Sequence, residues 1–166
     1  PKNGTRYRPE VLARGGKAQF PYLVDPNTGE SMYESSRIVT YLAERYGDGT
    51  VPLALRLGPW TIGSGSAGAL LRYPRGVRAR PSRAPERPLE LWGFEFSPFC
   101  RIAREALCEL EIPYIARNMG KGSDKRPDFR ARRGKLQFPF LVDPNTDTAM
   151  FESADITAYL QQTYGI

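Results

Sequence analysis

Four consecutive residues, Ser97-Pro98-Phe99-Cys100, carry the side chains best suited to chemistry, because they lie where an apolar strand-like run gives way to a helix. Ser97 is a good N-cap, and Pro98 suits the first helical position, where a missing amide hydrogen costs nothing. Unpaired amides and the positive end of the helix dipole lower the pKa of a thiol at such a terminus. We therefore predict that Ser97 and Cys100 are the catalytic residues. The alternative is that Ser97 only caps the helix and Cys100 only packs.

The serine in this motif limits the chemistry. Ser97 cannot form a mixed disulfide, so it can act only by hydrogen bonding to a sulfur bound beside it. The other cysteine, Cys108, is predicted to be a core residue, about 12 Å further along the same helix and too far for a disulfide with Cys100. Two cysteines are too few for a disulfide framework, so we expect an intracellular reducing compartment.

The elements that must position the motif run from Leu89 to Ile166. Apolar residues from Leu89 to Phe96 predict a first strand, and the helix that Pro98 begins continues through Leu110. Residues 112–118 predict a second strand, and residues 126–133 predict a second helix. A hairpin and a last helix complete the order βαβ followed by αββα. This is an α/β fold with a mixed sheet, in which the first crossover should be right-handed.

The hairpin and the last helix occur twice in the chain. Residues 19–42, QFPYLVDPNTGESMYESSRIVTYL, return at 137–160 as QFPFLVDPNTDTAMFESADITAYL. Between residues 13–47 and 131–165, about three positions in five are identical at one constant offset, which indicates a duplicated structural unit. Each copy predicts a hairpin around Asp-Pro-Asn-Thr, then a helix that begins at Glu-Ser. Pro21 and Pro139 begin strands without an amide to donate, so we predict a cis peptide bond before each.

Strand, proline, hairpin and Glu-Ser helix start together resemble the N-terminal domain of glutathione transferases and the glutaredoxins, both thioredoxin-like. Ser-Pro-Phe-Cys resembles the Cys-Pro-Phe-Cys or Cys-Pro-Tyr-Cys motif of glutaredoxins and the Ser-Pro-Phe of plant-type serine glutathione transferases. Two such units in one chain resemble the duplicated glutathione transferase N-terminal proteins of plants and algae. The resemblance implies a thioredoxin-like fold in two tandem units, and it adds the chloroplast to the expected compartments.

The resemblance also implies a glutathione site in the second copy. Pro139 would be cis, the backbone of Phe138 would pair with the cysteinyl part of glutathione, and Glu152-Ser153 would hold the γ-glutamyl end. The full set of implied contacts is Phe99, Gln137, Phe138, Pro139, Glu152 and Ser153. The equivalents in the first copy are Gln19, Phe20, Pro21, Glu34 and Ser35. The alternative for Glu152-Ser153 is a helix cap with favourable first-turn charge. Glutathione is the expected ligand, and no metal is expected.

We predict three parts of the chain: residues 1–50, a linker at 51–88, and a complete thioredoxin-like unit at 89–166. The first part is the C-terminal half of another thioredoxin-like unit. It is truncated at its N-terminus, because the first copy has no residues that correspond to residues 89–118. Such a half-unit leaves a sheet edge and an apolar face open to water. We therefore expect a fragment whose edge is covered by a missing N-terminal half, by a separate partner chain or by a swapped copy.

The linker raises two further partners. Val51–Leu71 is apolar but contains Arg56 and Pro59, which disfavours a membrane-spanning helix, so we expect a short helix packed between the units. Membrane-surface association is the less favoured alternative. Arg72–Pro88 is rich in arginine and proline, and the chain carries a net charge of +6. Nucleic acid is a disfavoured partner, because no aromatic interleaving or known motif accompanies the charge.

Two classes of function follow. The first is a glutathione-binding, glutaredoxin- or glutathione transferase-like protein with weak thiol-transfer or redox activity on a thiol or disulfide substrate. The second is a non-catalytic interaction or assembly module built on a duplicated redox fold. The sequence contains no all-helical domain of the kind that follows this fold in glutathione transferases, which weakens the transferase interpretation.

Overall fold

The computed structural model describes residues 1–51 and 76–166. The predicted helix in the apolar segment 51–71 therefore lies outside the described residues, which include only Val51 of that segment. The chain divides into two compact units, Thr5–Tyr73 and Pro1–Gly4 with Pro74–Ile166. We call these the earlier unit and the later unit, and each is described by itself.

In the earlier unit, the described residues form a helix, a hairpin and a second helix. The elements are α1 (Arg8–Gly15), β1 (Tyr22–Val24), β2 (Ser31–Tyr33) and α2 (Ser35–Tyr46). The two strands pair antiparallel, with Leu23 opposite Met32. Both the hairpin and the helix that follows it lie where the sequence predicts them.

The later unit contains a four-stranded mixed sheet. Its elements are β3 (Leu89–Gly93), α3 (Pro98–Glu109), β4 (Tyr114–Asn118), α4 (Arg126–Arg133), β5 (Phe140–Asp143), β6 (Thr148–Phe151) and α5 (Ser153–Tyr164). The strand order is β4-β3-β5-β6, in which β3 is parallel to β4 and the other neighbours are antiparallel. The predicted βαβ-αββα order and the thioredoxin-like α/β fold are confirmed.

Alternation along the strands divides the core of the later unit between the two faces of the sheet. Leu89, Leu91 and Leu141 belong to one buried cluster, to which α3 contributes Ala103 and Leu107. The neighbouring strand positions belong to a second cluster, which is largely aromatic and is covered by α4. Its members are Met119, Phe129 and Phe140, with Trp92, Phe138, Val142 and Phe151 packed against them. The sheet therefore lies between two helical layers.

The last part of the predicted linker packs as part of the later unit. Ser82 forms an isolated bridge with Gly165, and the amides of Arg80 and Arg83 donate to the carbonyls of Glu109 and Tyr164 at 2.7 Å. Lys2 likewise donates its amide to the carbonyl of Val77 at 2.7 Å, which ties the first residues of the chain to this unit. None of the helices in residues 1–51 and 76–166 combines the length and apolar character that membrane crossing requires.

The two sequence copies fold alike but differ in burial. The bounds of α1, β1 and α2 match those of α4, β5 and α5 at the offset of the repeat, apart from one more residue in β5. Leu160 and Tyr164 are 0% and 5% exposed, whereas their counterparts Leu42 and Tyr46 are 40% and 56% exposed. Among the described residues, β1 pairs only with β2, whereas β5 also pairs with β3. That something covers the free edge of β1 stays a prediction.

Candidate functional site

A cavity of about 590 Å³ lies in the later unit, at the N-terminal ends of α3 and α5. Three separated segments and α4 meet there. The lining residues are Phe94, Phe96, Ser97, Pro98, Phe99, Arg126, Leu136, Gln137, Phe138, Pro139, Glu152 and Ser153. They include Ser97 and all six of the predicted second-copy glutathione contacts.

Ser97 lies at the cavity as the N-cap of α3. Its backbone is extended, with φ −79° and ψ 120°, and its Oγ accepts a hydrogen bond from the Cys100 amide at 3.3 Å. A hydroxyl has two acceptor lone pairs and one proton. Capping the helix therefore leaves the Ser97 O–H able to donate to an atom in the cavity, so the cap and the catalytic interpretations are compatible.

Cys100 is buried and lies outside this cavity. Its exposed fraction is 0%, and it lines a second, smaller cavity of about 250 Å³ together with Gly93 and Tyr114. A Cβ added at Gly93 would lie 2.8 Å from the Cys100 Sγ, so the strand approaches the sulfur too closely for a side chain there. Helix α3 thus points Cys100 into the interior, away from the site to which Ser97 belongs.

The prediction that Cys108 is a core residue is wrong, because this side chain is exposed. The buried positions of α3 are Cys100, Ala103, Ala106, Leu107 and Glu109. Eight residues after Cys100, at 100° per residue, Cys108 is rotated about 80° away from it around the helix. Its Sγ lies 3.5 Å from the carbonyl oxygen of Gly76.

The loop before β5 forms the wall opposite α3. The Phe138-Pro139 peptide bond is cis, as is the Phe20-Pro21 bond, so both cis predictions are confirmed. Pairing between β5 and β3 begins at Phe140, one residue after Pro139. Phe138 therefore precedes the ladder, which leaves its backbone at the cavity rather than in the sheet.

Glu152 occupies the N-cap position of α5 in a rarely adopted backbone conformation, with φ 66° and ψ 120°. A positive φ in a residue with a side chain costs about 1–3 kcal/mol. Its carboxylate caps none of the helix amides and instead accepts a hydrogen bond from the Gln137 side chain. The first-turn amides that begin at Ser153 therefore have no side-chain cap, and they can bind an anion in the cavity.

Sequence reasoning missed four of the lining residues, Phe94, Phe96, Arg126 and Leu136. The Arg126 guanidinium donates to the Met119 carbonyl at 2.8 Å and lies 5.6 Å from the centre of the Phe138 ring. These two contacts hold a cation at the cavity wall. For Arg126, the only available sequence signal was its position at the start of a helix just ahead of the Gln-Phe-Pro loop.

The equivalent residues of the first copy lie together in the earlier unit. Gln19 donates to the Glu34 carboxylate at 2.8 Å, and Glu34 has φ 72°, much like Glu152. Phe20 is 51% exposed. A cavity of about 600 Å³ in this unit is lined by residues of β2 and α2 and by Glu30, none of which belongs to the predicted set. Among the described residues of the earlier unit, the repeated sequence therefore reproduces the local geometry, while the 600 Å³ cavity lies elsewhere.

The cavity is lined by a cation, a carboxylate and an uncapped helix terminus, groups that suit a small zwitterionic peptide. In residues 1–51 and 76–166, no three His, Cys, Asp or Glu side chains are grouped as a metal site requires.

The model of the family described as "Glutathione S-transferase, N-terminal domain" matches residues 1–51 and 91–165. The chain belongs to this family.

Several solved structures are similar to parts of the chain, among them these three. A glutathione transferase homolog of Drosophila mojavensis, solved with bound glutathione, is 25% identical over 47% of this chain and 36% of its own, with a TM-score of 0.41. The tau class glutathione S-transferase of mango is 23% identical over 45% and 33%, with a TM-score of 0.39. Glutathione S-transferase III in apo form is 32% identical over 46% and 35%, with a TM-score of 0.39.

These likenesses are local. The matched segment spans about a third of the length of each of these proteins, and with such TM-scores the assignment to the family rests on the family match. No curated protein matches the chain.

Proposed function

We propose that the later unit binds glutathione in the 590 Å³ cavity and presents its sulfur to Ser97. The observation that carries the proposal is the convergence of the predicted contacts. Residues 97–99, 137–139 and 152–153 are distant in sequence, yet all of them line this one cavity in a chain of the glutathione transferase N-terminal family.

Each part of glutathione has a complementary group in the cavity. The γ-glutamyl carboxylate suits the uncapped amides at the start of α5, since helix N-termini bind anions. The ammonium group of the same residue suits the Glu152 carboxylate. The backbone of Phe138 lies just ahead of the β5 ladder and is available to the cysteinyl amide and carbonyl groups.

The Ser97 hydroxyl would act on the sulfur. A hydrogen bond donated to a thiolate stabilises it relative to the thiol, so the thiol pKa of bound glutathione falls and more thiolate is present at neutral pH. This would support weak thiol transfer to an electrophile or a disulfide. Cys100 takes no part in this scheme, because it is fully buried and outside the cavity.

The second candidate is a non-catalytic assembly module. It is favoured by the burial of Cys100 and by the capping role of Ser97, which together leave the cavity without a thiol of its own. The two functions differ in whether glutathione binds at all, and a binding experiment separates them.

The test is the melting temperature of the chain with and without glutathione. Ligand at ten times its Kd stabilises a site by about 1.4 kcal/mol, which raises the melting temperature of a small domain by several degrees. We expect such a shift at millimolar glutathione. The variant Glu152→Gln should reduce it, because the carboxylate is lost while the side-chain shape remains.

Glu34→Gln is the matched control. Glu34 has a similar backbone conformation and accepts a hydrogen bond from Gln19, the counterpart of Gln137, but it does not line the 590 Å³ cavity. The shift should survive this substitution. If millimolar glutathione leaves the melting temperature of the unsubstituted chain unchanged, the assembly module becomes the better description.

A further inference from the structure

A strongly basic surface adjoins the glutathione cavity. We call it the α4 basic face and define it as Lys121, Lys125, Arg126, Arg130, Arg132, Arg133 and Lys135. All of these side chains are exposed except Arg126, which is half-buried at the cavity wall. Residues 121–135, which contain all seven cations, include only two carboxylates, Asp124 and Asp128.

The cations of this face are not held in close ion pairs within the described residues. None of its seven cations lies within 4.0 Å of a carboxylate in the part of the chain that the structure describes. The positions of three of them are set by aromatic rings instead. The Arg133 guanidinium lies 4.9 Å from the Phe140 ring centre, and the Lys135 ammonium lies 4.3 Å from that of Phe151. Arg126 lies over Phe138.

Comparison with the first copy shows that the charge is not needed for the fold of this segment. Residues 3–17 correspond to residues 121–135 and form the same helix, but they contain four cations and one carboxylate. Tyr7 and Leu12 stand where the later unit has Lys125 and Arg130. In the first copy, Arg14 pairs with Glu10 at 3.0 Å, whereas its counterpart Arg132 has no such pair. The additional cations therefore need an explanation other than folding.

We infer that the α4 basic face binds acidic residues that flank a glutathionylated cysteine in a protein partner, while the glutathione moiety lies in the cavity. The inference rests on the proposed glutathione site and adds to it the class of binding partner. Arg126 belongs to both the cavity and the face, and Leu136 and Gln137 follow directly after Lys135. A chain leaving the cavity on this side meets the cations, and opposite charge speeds and orients association.

A nucleic acid ligand fits this face less well. Single strands bind through aromatic rings on which bases stack. The rings under the α4 basic face are unsuited to this. Phe129 and Phe140 are 4% and 2% exposed, and the half-buried rings of Phe138 and Phe151 are covered by Arg126 and Lys135. An acidic peptide needs only accessible cations, which the face supplies.

The test measures binding of three fluorescent peptides to the full chain. The first carries S-glutathionyl cysteine between aspartate and glutamate residues, the second carries it between serine and glutamine residues, and the third has the acidic flanks with serine in place of the modified cysteine. We expect the first to bind about tenfold more tightly than the second at low salt, since several exposed ion pairs each contribute modestly. The ratio should approach unity at about 0.5 M salt.

Paired variants locate the effect. Arg130→Gln/Arg132→Gln should abolish most of the preference for acidic flanks and leave the affinity for free glutathione unchanged, because neither arginine lines the cavity. The matched control is Arg14→Gln/Lys17→Gln, which removes two cations from the corresponding segment of the first copy, where Arg14 corresponds to Arg132 and Lys17 to Lys135. This control should preserve the preference.

Three results would overturn the inference. If the acidic and the neutral glutathionylated peptides bind with equal affinity at low salt, the inference is wrong, but the proposed binding of glutathione still stands. Tight, salt-sensitive binding of the third peptide without any response to free glutathione would overturn both the inference and the proposed function. Displacement of the first peptide by a mixed-sequence 20-nucleotide strand at lower concentration than by the third peptide would assign the face to nucleic acid.

Discussion

Ser97 has both a structural role and a proposed chemical role in the later unit. It accepts the Cys100 amide and caps α3, and its hydroxyl proton remains for the cavity. Replacing a serine N-cap by alanine costs about 1 kcal/mol of stability. Any substitution here therefore has a structural effect as well as a chemical one, and a test needs a variant that separates the two.

The variant Ser97→Cys separates them. It places a thiol at the helix N-terminus, where its pKa falls, and it creates a dithiol with Cys100 one turn along α3. We expect the unsubstituted chain to reduce a glutathione mixed disulfide poorly and Ser97→Cys to reduce it markedly faster. The measurement is the initial rate with a glutathionylated model substrate.

Ser97→Cys/Cys100→Ala is the companion variant, which keeps the new thiol and removes the buried one. A rate that remains high in this pair would assign the activity to position 97 alone. Efficient reduction by the unsubstituted chain would instead make Cys100 the nucleophile, and the roles proposed for both residues would be wrong.

At the scale of elements, a buried carboxylate joins the hairpin of the later unit to its last helix. Asp143, at the end of β5, accepts hydrogen bonds from Tyr164 and from Tyr159, the latter at 2.7 Å, and from the Asn145 amide at 2.8 Å. Asp25 makes the same contacts with Tyr41, Tyr46 and Asn27 in the earlier unit. Each copy thus fastens its helix to its hairpin in the same way.

These hydrogen bonds make stability depend on pH. Burial by itself raises the pKa of Asp143, but the bonds from Tyr164, Tyr159 and Asn145 outweigh it and hold the pKa below its usual range. A carboxyl with a lowered pKa in the folded state contributes stability above its unfolded pKa, near 3.9, and this stability is lost as the pH falls. We expect the melting temperature of the later unit to fall steeply below about pH 4.

Two variants check the cause of that fall. Asp143→Asn removes the charge and should cost about 2 kcal/mol at neutral pH, because the tyrosines lose a charged acceptor. Its melting temperature should also change less between pH 5 and pH 3. Tyr164→Phe keeps the carboxylate but removes one donor, so the fall in its melting temperature between pH 5 and pH 3 should be partly reduced. If this fall is unchanged in both variants, Asp143 does not control acid stability.

At the scale of the whole molecule, the repeat places the same side chains in two different environments. Leu160 is fully buried among the residues of α3 and β3, whereas Leu42 is 40% exposed. Leucine-to-alanine substitutions in a packed core cost about 2–5 kcal/mol. We expect Leu160→Ala to cost about 3 kcal/mol and Leu42→Ala to cost less than about 1 kcal/mol, measured by hydrogen exchange within each unit.

The comparison of these two leucines also tests what covers the earlier unit. If a partner chain or a further segment packs on the face that α2 and β1 leave exposed, Leu42→Ala should cost about as much as Leu160→Ala in that assembly. A small cost for Leu42→Ala in every preparation would contradict the expectation that the face is covered.

The sequence by itself determined the features that depend on neighbouring residues or on repetition. Alternation of Leu89 and Leu91 with Glu90 and Trp92 gave the first strand two faces, and Ser97-Pro98 began α3. The duplicated string predicted two hairpins, two following helices and the two cis bonds, because the same residues at the same spacing have the same local preferences. These local features together carried the resemblance to the family, which the match to the family model then confirmed.

Tertiary structure alone decided which distant residues meet. It brought Arg126 and Leu136 to the cavity, placed Cys100 outside it and left Cys108 exposed. It also joined Asp143 to tyrosines 16 and 21 residues away, where the sequence indicated only a turn. The physical reason is that strand and helix starts are set by local backbone energetics, whereas burial and side-chain partners depend on how the layers pack against the sheet.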